Sequence, residues 1–244
     1  MIIVGLNAFH GDSAAAALRD GVLVSAVEEE RFTRVKHWTG FPSQSLQLCL
    51  RDSGYEDVDP DSVVFSVSRK PDRYLARKAF LALSHPRSLG RSLSRIRNFS
   101  AVRSLGERIQ EVYGGSGPPP RVYKVEHHLA HIASSFFCCP WDEAMCITVD
   151  GFGDFVSTML AVGRGNSIEV FKRVHYPHSL GLFYTALTQY LGFPKYGDEY
   201  KVMGLAAYGD LSFVPQVRKL VPCLGDGTFC LDLSYFSHLS EGVD

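Results

Sequence analysis

Apolar and polar residues alternate in short blocks over the first thirty positions of the chain. Three apolar runs are separated by a polar loop and by a turn, and they cover Ile2–Leu6, Ala14–Leu18 and Val22–Val27. Runs of this length bounded by Gly, Asn and Asp are typical of β-strands joined by tight connections. The pattern therefore predicts three consecutive strands at the start of the chain.

Helical periodicity and further strand-like runs follow this unit. Pro42-Ser43 marks the start of a helix that we expect to end at Ser53, because Gly54 is a typical helix stop. Two more strands are predicted, at Ser62–Ser68 and Arg121–Val125. Further helices are predicted at Asp72–Leu83, Ser88–Tyr113, His127–Phe137, Leu180–Leu191 and Phe213–Val221. This mixture of elements predicts an α/β protein.

The opening pattern returns near the middle of the chain. The stretch IIVGLNAFHGDSAAAALRDGVLVSAVEE begins at Ile2, and CITVDGFGDFVSTMLAVGRGNSIEVFKR begins at Cys146. A repeat of this size indicates an internal duplication. It predicts the duplicated, ribonuclease-H-like fold of actin-like ATPases and sugar kinases. We expect a complete first subdomain over 1–142, with a basic helical insertion at about 69–113, and a truncated second subdomain over 143–244.

Composition and charge narrow the possible functions. The chain has 244 residues, a formal net charge of -1 and 45% hydrophobic residues, which argues against nucleic acid and membranes as general partners. Six cysteines without a CxxC pair and a start without a signal sequence predict reduced thiols in a cytoplasmic protein. The basic stretch 69–108 is either a solvated helical face or a docking surface for an acidic partner or an anionic substrate.

The stretch EHHLAHIASS contains three of the nine histidines of the chain. On a helix, His127 and His131 lie on one face, one turn apart, which is a spacing used to chelate metals. His128 points elsewhere. Asp150 ends a predicted strand and adds a carboxylate, so an iron, manganese or zinc site is one interpretation. Two packing or surface histidines are the other.

In each repeat, one glycine-containing loop follows the first strand. Gly11, Gly151 and Gly153 allow the backbone to approach a phosphate closely. In the first loop, Asp12 and Ser13 are either turn formers or ligands of phosphate and metal. His10 is either a turn residue or a general acid or base, because its ordinary pKa is close to neutrality.

Two other segments carry cations that could bind an anion. EEERFTRVKHWTGFP is otherwise an exposed edge and loop. Its Lys36 or Arg31 could reach a phosphate-binding cleft, which we expect between the glycine-containing loops of the two subdomains. DEYKVMGLAAYGD contains Lys201, which we assign to nucleotide binding, with a packing helix as the alternative.

Six of these motifs, in this order, resemble the N-terminal half of the NodU/CmcH carbamoyltransferases. They are NAFHGDSAAAAL, EEERFTRVKHWTGFP, HHLAHIASSFF, TVDGFGD, SLGLFYTALTQYLGF and EYKVMGLAAYGD. The resemblance implies an ATP-dependent enzyme with a C-terminal YrdC-like domain, which makes carbamoyl adenylate from carbamoyl phosphate and ATP. It also implies transfer of the carbamoyl group to a hydroxyl of a small-molecule acceptor, such as a secondary metabolite or a glycan.

The same resemblance assigns roles to individual residues. It implies that His127, His131 and Asp150 bind a divalent metal, iron(II) in this family, and that His10 is the base for the acceptor hydroxyl. A further aspartate ligand would lie beyond Asp244, so we expect the 244-residue chain alone to be inactive. Two alternatives stay open: a tRNA threonylcarbamoyl transferase-like protein, and a non-catalytic binding remnant of the fold.

Overall fold

The computed structural model describes residues 1–70, 72–74, 104–114, 119–195 and 197–238. They form two compact units. The first comprises the described residues of 1–72 and 92–127, and the second those of 73–91 and 128–244. The predicted division at residue 142 stays a prediction. Most of the predicted basic insertion lies outside the described residues.

The first unit contains a five-stranded sheet and three helices among its described residues. The strands are β1 (Ile2–Asn7), β2 (Ala14–Arg19), β3 (Val22–Glu28), β4 (Val63–Val67) and β5 (Val122–Lys124). The helices are α1 (Glu30–Thr33), α2 (Ser43–Ser53) and α3 (Leu105–Tyr113). Gly54 ends α2 in the left-handed conformation, as predicted.

The strand order of this sheet is β3-β2-β1-β4-β5. β1, β2 and β3 are antiparallel neighbours, whereas β4 and β5 run parallel to β1. This order and these directions are those of the ribonuclease-H-like fold, so the predicted fold class is confirmed. Alternate residues of β1 enter the core, where Ile2, Val4 and Leu6 pack with Leu46 and Leu50 of α2.

Glu29 connects the end of β3 to the start of α2. Its side chain is buried, and its carboxylate accepts hydrogen bonds from the backbone N–H groups of Ser45 at 2.8 Å and Gln44 at 3.1 Å. A carboxylate in this position satisfies unpaired N–H groups of the first helical turn and interacts favourably with the helix dipole. Part of the segment interpreted as an exposed loop is therefore a buried helix cap.

The second unit repeats the three-stranded opening. Its strands are β6 (Glu143–Gly153), β7 (Val156–Arg164) and β8 (Ser167–His175), all antiparallel. Its helices are α4 (His127–Phe136), α5 (Leu180–Tyr190), α6 (Glu199–Leu205) and α7 (Val214–Leu220). The predicted repeat is thus present as two similar strand meanders. The boundary between the units falls just after His127, so α4 belongs to the second unit except for its first residue.

The two faces of β6 differ sharply. On one face, Cys146 packs with Ile132 and Phe136 of α4 and with Met159 of β7. The opposite face carries an exposed apolar strip, hereafter the β6 strip, formed by Met145, Ile147 and Val149 with exposed fractions of 53–60%.

All six cysteines are free thiols in the structure. Within the described part of the chain, no helix combines the length and the apolar character needed to cross a bilayer.

Candidate metal centre

Three predicted metal ligands come together at the start of α4. One ligand atom from each of His127, His131 and Asp150 lies within 4.8 Å of the others. His131 Nε2 is 3.9 Å from Asp150 Oδ2. His127 is buried, Asp150 is partly buried and His131 is exposed, so the group opens toward solvent on one side.

The donor set fits a transition-metal ion. Two imidazole nitrogens and one carboxylate oxygen are typical ligands of zinc, iron and manganese. Ligand bonds of about 2.0–2.2 Å put neighbouring donors roughly 3–3.5 Å apart. Donors within 4.8 Å of one another therefore need to approach by about 1 Å, which is within the range of side-chain rotation.

The backbone that carries Asp150 is held by the N-terminus of α5. Ser179 Oγ donates a hydrogen bond to the Asp150 carbonyl at 3.0 Å and accepts one from Leu182 N–H, also at 3.0 Å. Gly181 lies so close that an added Cβ would be 2.5 Å from Gly151 N. The Gly151 N–H in turn donates to Asp150 Oδ1 at 2.6 Å. The backbone of Asp150 is therefore held by α5, and one carboxylate oxygen, Oδ1, is bonded to the Gly151 N–H.

His128 does not belong to the ligand group, as helical geometry predicted. Its side chain is fully buried, and both ring nitrogens form hydrogen bonds. Nδ1 is 2.7 Å from Thr148 Oγ1, and Nε2 is 2.8 Å from the Val156 carbonyl oxygen. His128 thereby connects α4 to both β6 and β7.

The loop that contains His10 is closed by its own polar groups. Asn7 Nδ2 donates to the carbonyls of Gly11 and Asp12, both at 3.0 Å. Ser13 is fully buried, and its hydroxyl donates to the Gly40 carbonyl at 2.8 Å. The Ser13 hydroxyl, which we predicted as a phosphate ligand, thus holds the loop to the segment around Gly40.

Two histidine contacts follow from this loop. The His10 ring lies 5.3 Å, centroid to centroid, from the ring of His127. Asp12 Oδ1 is 2.9 Å from His37 Nδ1, and both residues have positive φ angles, 58° and 56°. Sequence reasoning did not single out His37. Its partner Asp12 is 25 positions away, and no local sequence motif predicts a contact over that separation.

The remaining predicted residues have different surroundings. Lys36 is exposed, and Gly153 is buried at the end of β6. Lys201 forms a 2.7 Å ion pair with Asp198. The hydrogen bond between them holds the pKa of Asp198 below its ordinary value and raises the pKa of Lys201. Lys201 is therefore already engaged by a carboxylate on its own helical segment.

Comparison with known proteins assigns the chain to a class. Residues 2–241 match the family model described as "Carbamoyltransferase N-terminus". The chain belongs to this family, which confirms the resemblance found in its motifs. It is thus a protein of the carbamoyltransferase N-terminus family.

Particular relatives share much of this chain. An uncharacterized protein of Synechocystis, sll1178, is 37% identical over 249 residues, covering 97% of this chain and 39% of the relative. The nodulation protein NolNO of Sinorhizobium fredii is 37% identical over 204 residues, covering 84% of this chain and 28% of the relative. The chain therefore spans less than two-fifths of the length of these two relatives.

One solved structure shows a weak similarity to the chain. It is the PPX-GPPA enzyme of Aquifex aeolicus, with a TM-score of 0.35 and 14% identity, covering 86% of this chain and 64% of that one. A similarity of this size carries no argument about function.

Proposed function

We propose that the chain provides the metal centre of an ATP-dependent O-carbamoyltransferase. In this proposal, a C-terminal YrdC-like domain makes carbamoyl adenylate from carbamoyl phosphate and ATP. The carbamoyl group then passes to a hydroxyl of a secondary metabolite or a glycan, and AMP leaves. The observation that carries the proposal is the convergence of His127, His131 and Asp150 in a chain of the carbamoyltransferase family.

The protein residues have distinct proposed roles. His127, His131 and Asp150 would hold a divalent ion, iron(II) in our proposal. Such an ion supplies Lewis acidity that polarises a carbonyl and offsets phosphate charge. The three side chains would supply three of its ligands, and substrate oxygens could bind at the positions that protein ligands leave open.

His10 is the proposed base of the transfer step. The acceptor oxygen bonds to the carbamoyl carbon, the bond from that carbon to the AMP phosphate oxygen breaks, and the hydroxyl proton passes to the His10 imidazole. The contact between the rings of His10 and His127 supports this role, because it places His10 next to one proposed ligand.

Phosphate contacts are proposed for residues of both glycine-containing loops. These residues are Gly11, Asp12 and Ser13 in the first loop, and Gly151 and Gly153 in the second. Ser13 would have to exchange a partner to contribute, because its hydroxyl donates to the Gly40 carbonyl and its backbone N–H to the Trp38 carbonyl. Lys36 is exposed and can approach a phosphate from solvent. Lys201 would have to exchange its partner Asp198 for a phosphate, so we expect its contribution to be the smallest of the set.

The test uses the full-length protein with ATP, carbamoyl phosphate and a panel of hydroxyl acceptors. The resemblance to the NodU/CmcH carbamoyltransferases, together with a nodulation protein among the relatives, puts nodulation factors in the panel, beside aminoglycosides, cephems and simple sugars. We expect carbamoyl transfer to one of these classes. Transfer only to tRNA, or no carbamoyl adenylate formation at all, would contradict the proposal.

Variants separate the two proposed roles. His10→Ala is expected to make carbamoyl adenylate but to transfer it poorly, whereas the double variant His127→Ala and His131→Ala is expected to lose bound metal. Unchanged metal content in the double variant would refute the metal centre. An unchanged transfer rate in His10→Ala would remove the base.

A further inference from the structure

The face of α4 that meets the sheet has a polar part and an apolar part. At the C-terminal end of the helix, Ile132 and Phe136 pack against Cys146 and Met159. At the N-terminal end, the contact with the sheet is made by the two hydrogen bonds of His128. Apolar contacts are non-directional, whereas hydrogen bonds fix both distance and direction. The position of the first turn therefore depends on His128.

The direction of one hydrogen bond follows from its partners. The Val156 carbonyl can only accept, so His128 Nε2 donates to it. The other bond joins Nδ1 to the hydroxyl of Thr148, which lies two residues before Asp150 on β6. Residues i and i+2 of a strand point to the same face. Thr148 thus connects the helix to β6 immediately beside the third proposed ligand.

The same histidine sits between the two ligands of its own helix. It directly follows His127 and precedes His131 by three positions. Each residue turns an α-helix by roughly 100°, so a modest rotation of the first turn would swing both imidazoles away from Asp150. The bonds to β6 and β7 oppose that rotation, because they hold one helical residue against two strands.

We infer that His128 is a positioning residue that sets the rotation of α4 and thereby the spacing of His127, His131 and Asp150, with Thr148 as its partner on β6. The inference rests on the proposed metal centre. Neither residue touches the metal in this scheme. Outer partners of this kind typically change metal affinity by about 10–100-fold when they are removed.

The chain offers a matched pair of substitutions to test this role. Thr148→Val removes the hydroxyl that bonds to His128 and keeps the shape of the side chain. Thr158→Val makes the same change on β7, where the buried hydroxyl has no hydrogen-bond partner among the described residues. A third variant, His128→Gln, keeps an N–H donor for Val156 but has no ring nitrogen for Thr148.

The experiment measures Mn²⁺ binding to the full-length protein from the electron paramagnetic resonance signal of the free ion. We expect Thr148→Val and His128→Gln to weaken binding at least about tenfold, and Thr158→Val to stay within about twofold of the wild type. Hydrogen exchange of the metal-free protein provides a second readout. The amides of α4 should exchange faster in Thr148→Val, with no matching change in β1–β3.

The outcomes separate this inference from the proposed function. If the wild-type protein binds no Mn²⁺, both the metal centre and the positioning role are refuted. If the wild type binds Mn²⁺ and Thr148→Val binds it equally well, the metal centre stands and the positioning role is wrong. Equal losses in Thr148→Val and Thr158→Val would also overturn the positioning role, because they would indicate a general packing effect.

Discussion

The two strand meanders, β1–β3 and β6–β8, share some buried positions but differ in the chemistry of the inward face of their first strand. Ile2 and Ala17 are buried in the first, and Cys146 and Ala161, which lie 144 positions later, are buried in the second. Further along the first strand of each meander, the residues at equivalent positions differ in chemistry. Leu6 is an apolar core residue, whereas its counterpart Asp150 is a partly buried carboxylate in the proposed metal centre.

A second pair of positions shows the same divergence. Val4 is fully buried in the apolar core of the first unit. Its counterpart Thr148 bonds to His128. One backbone arrangement therefore serves stability in the first unit and, in our proposal, the geometry of the metal centre in the second. The difference lies in two side chains on one strand face.

The largest effect on stability should come from truncating an apolar residue on the inward face of β1. Leu6→Ala removes a core side chain that is only 3% exposed, and such truncations cost about 2–5 kcal/mol of unfolding free energy. Chemical denaturation measures this loss. Metal affinity of the folded protein should be unchanged, and a large fall in affinity would show that the two faces are not independent.

A substitution at the equivalent position of β6, Asp150, should instead lower metal affinity and leave stability almost unchanged. Asp150→Asn keeps the shape of the side chain but removes the negative charge of one proposed ligand. We expect the Mn²⁺ affinity to fall by about 100-fold or more, and the unfolding free energy of the metal-free protein to change little. Metal titration and denaturation of the same sample provide both values. An intact affinity would exclude Asp150 as a ligand.

A substitution of Gly181 tests how closely α5 packs against the backbone of Asp150 on β6. A Cβ at this position would lie 2.7 Å from the Asp150 carbonyl oxygen, so Gly181→Ala must displace the backbone or the helix. We expect a loss of about 1–3 kcal/mol in thermal or chemical denaturation, together with weaker metal binding. Gly204→Ala on α6 is the control, because a Cβ there meets nothing within 4 Å. It should be neutral or slightly stabilising. Equal effects of the two substitutions would contradict the close approach.

The smallest expected effect is a difference in pH response. Burial lowers the pKa of His178 and of His238 below the ordinary value of 6.5. Because the unfolded chain then binds more protons below pH 6.5, the stability of the second unit is complete above that pH and falls as the pH decreases. Hydrogen exchange should show β6–β8 losing protection between pH 7 and 5 before β1–β3 does.

A substitution of His178 provides the control for this prediction. The ring accepts a hydrogen bond at Nδ1 from the Leu231 N–H at 3.1 Å. His178→Asn can keep an acceptor near that position but cannot titrate. The pH dependence should become flatter in this variant. An unchanged profile would mean that other groups control the response to acid.

Local patterns were sufficient to predict the main elements of the described residues. β1 was predicted as Ile2–Leu6 and spans Ile2–Asn7, because alternation and flanking turn residues are local signals. The start of α5 was equally predictable from Ser179, whose hydroxyl caps the helix. The grouping of the three proposed ligands was predictable too, since an i, i+4 pair needs only helical geometry and Asp150 lies on the next strand, although within β6 and not at its end as predicted.

Contacts between distant residues could not be predicted in this way. Glu29 caps a helix that begins 14 positions later, and nothing in its own segment distinguishes it from Glu28 and Glu30. His128 was placed off the metal face, but its partners Thr148 and Val156 depend on how the helix packs against the sheet.

Lys201 was assigned to nucleotide binding although a nearby carboxylate, Asp198, competes for it.

The β6 strip affects how the protein behaves during handling. Met145, Ile147 and Val149 expose apolar side chains along one edge strand of a three-stranded sheet. Exposed apolar surfaces adsorb to plastic and bind hydrophobic dyes, and unpaired strand edges favour aggregation. Samples kept in a mild non-ionic surfactant should therefore retain soluble protein at concentrations where surfactant-free samples lose it. Losses of that kind would reflect adhesion and carry no information about the proposed metal ligands.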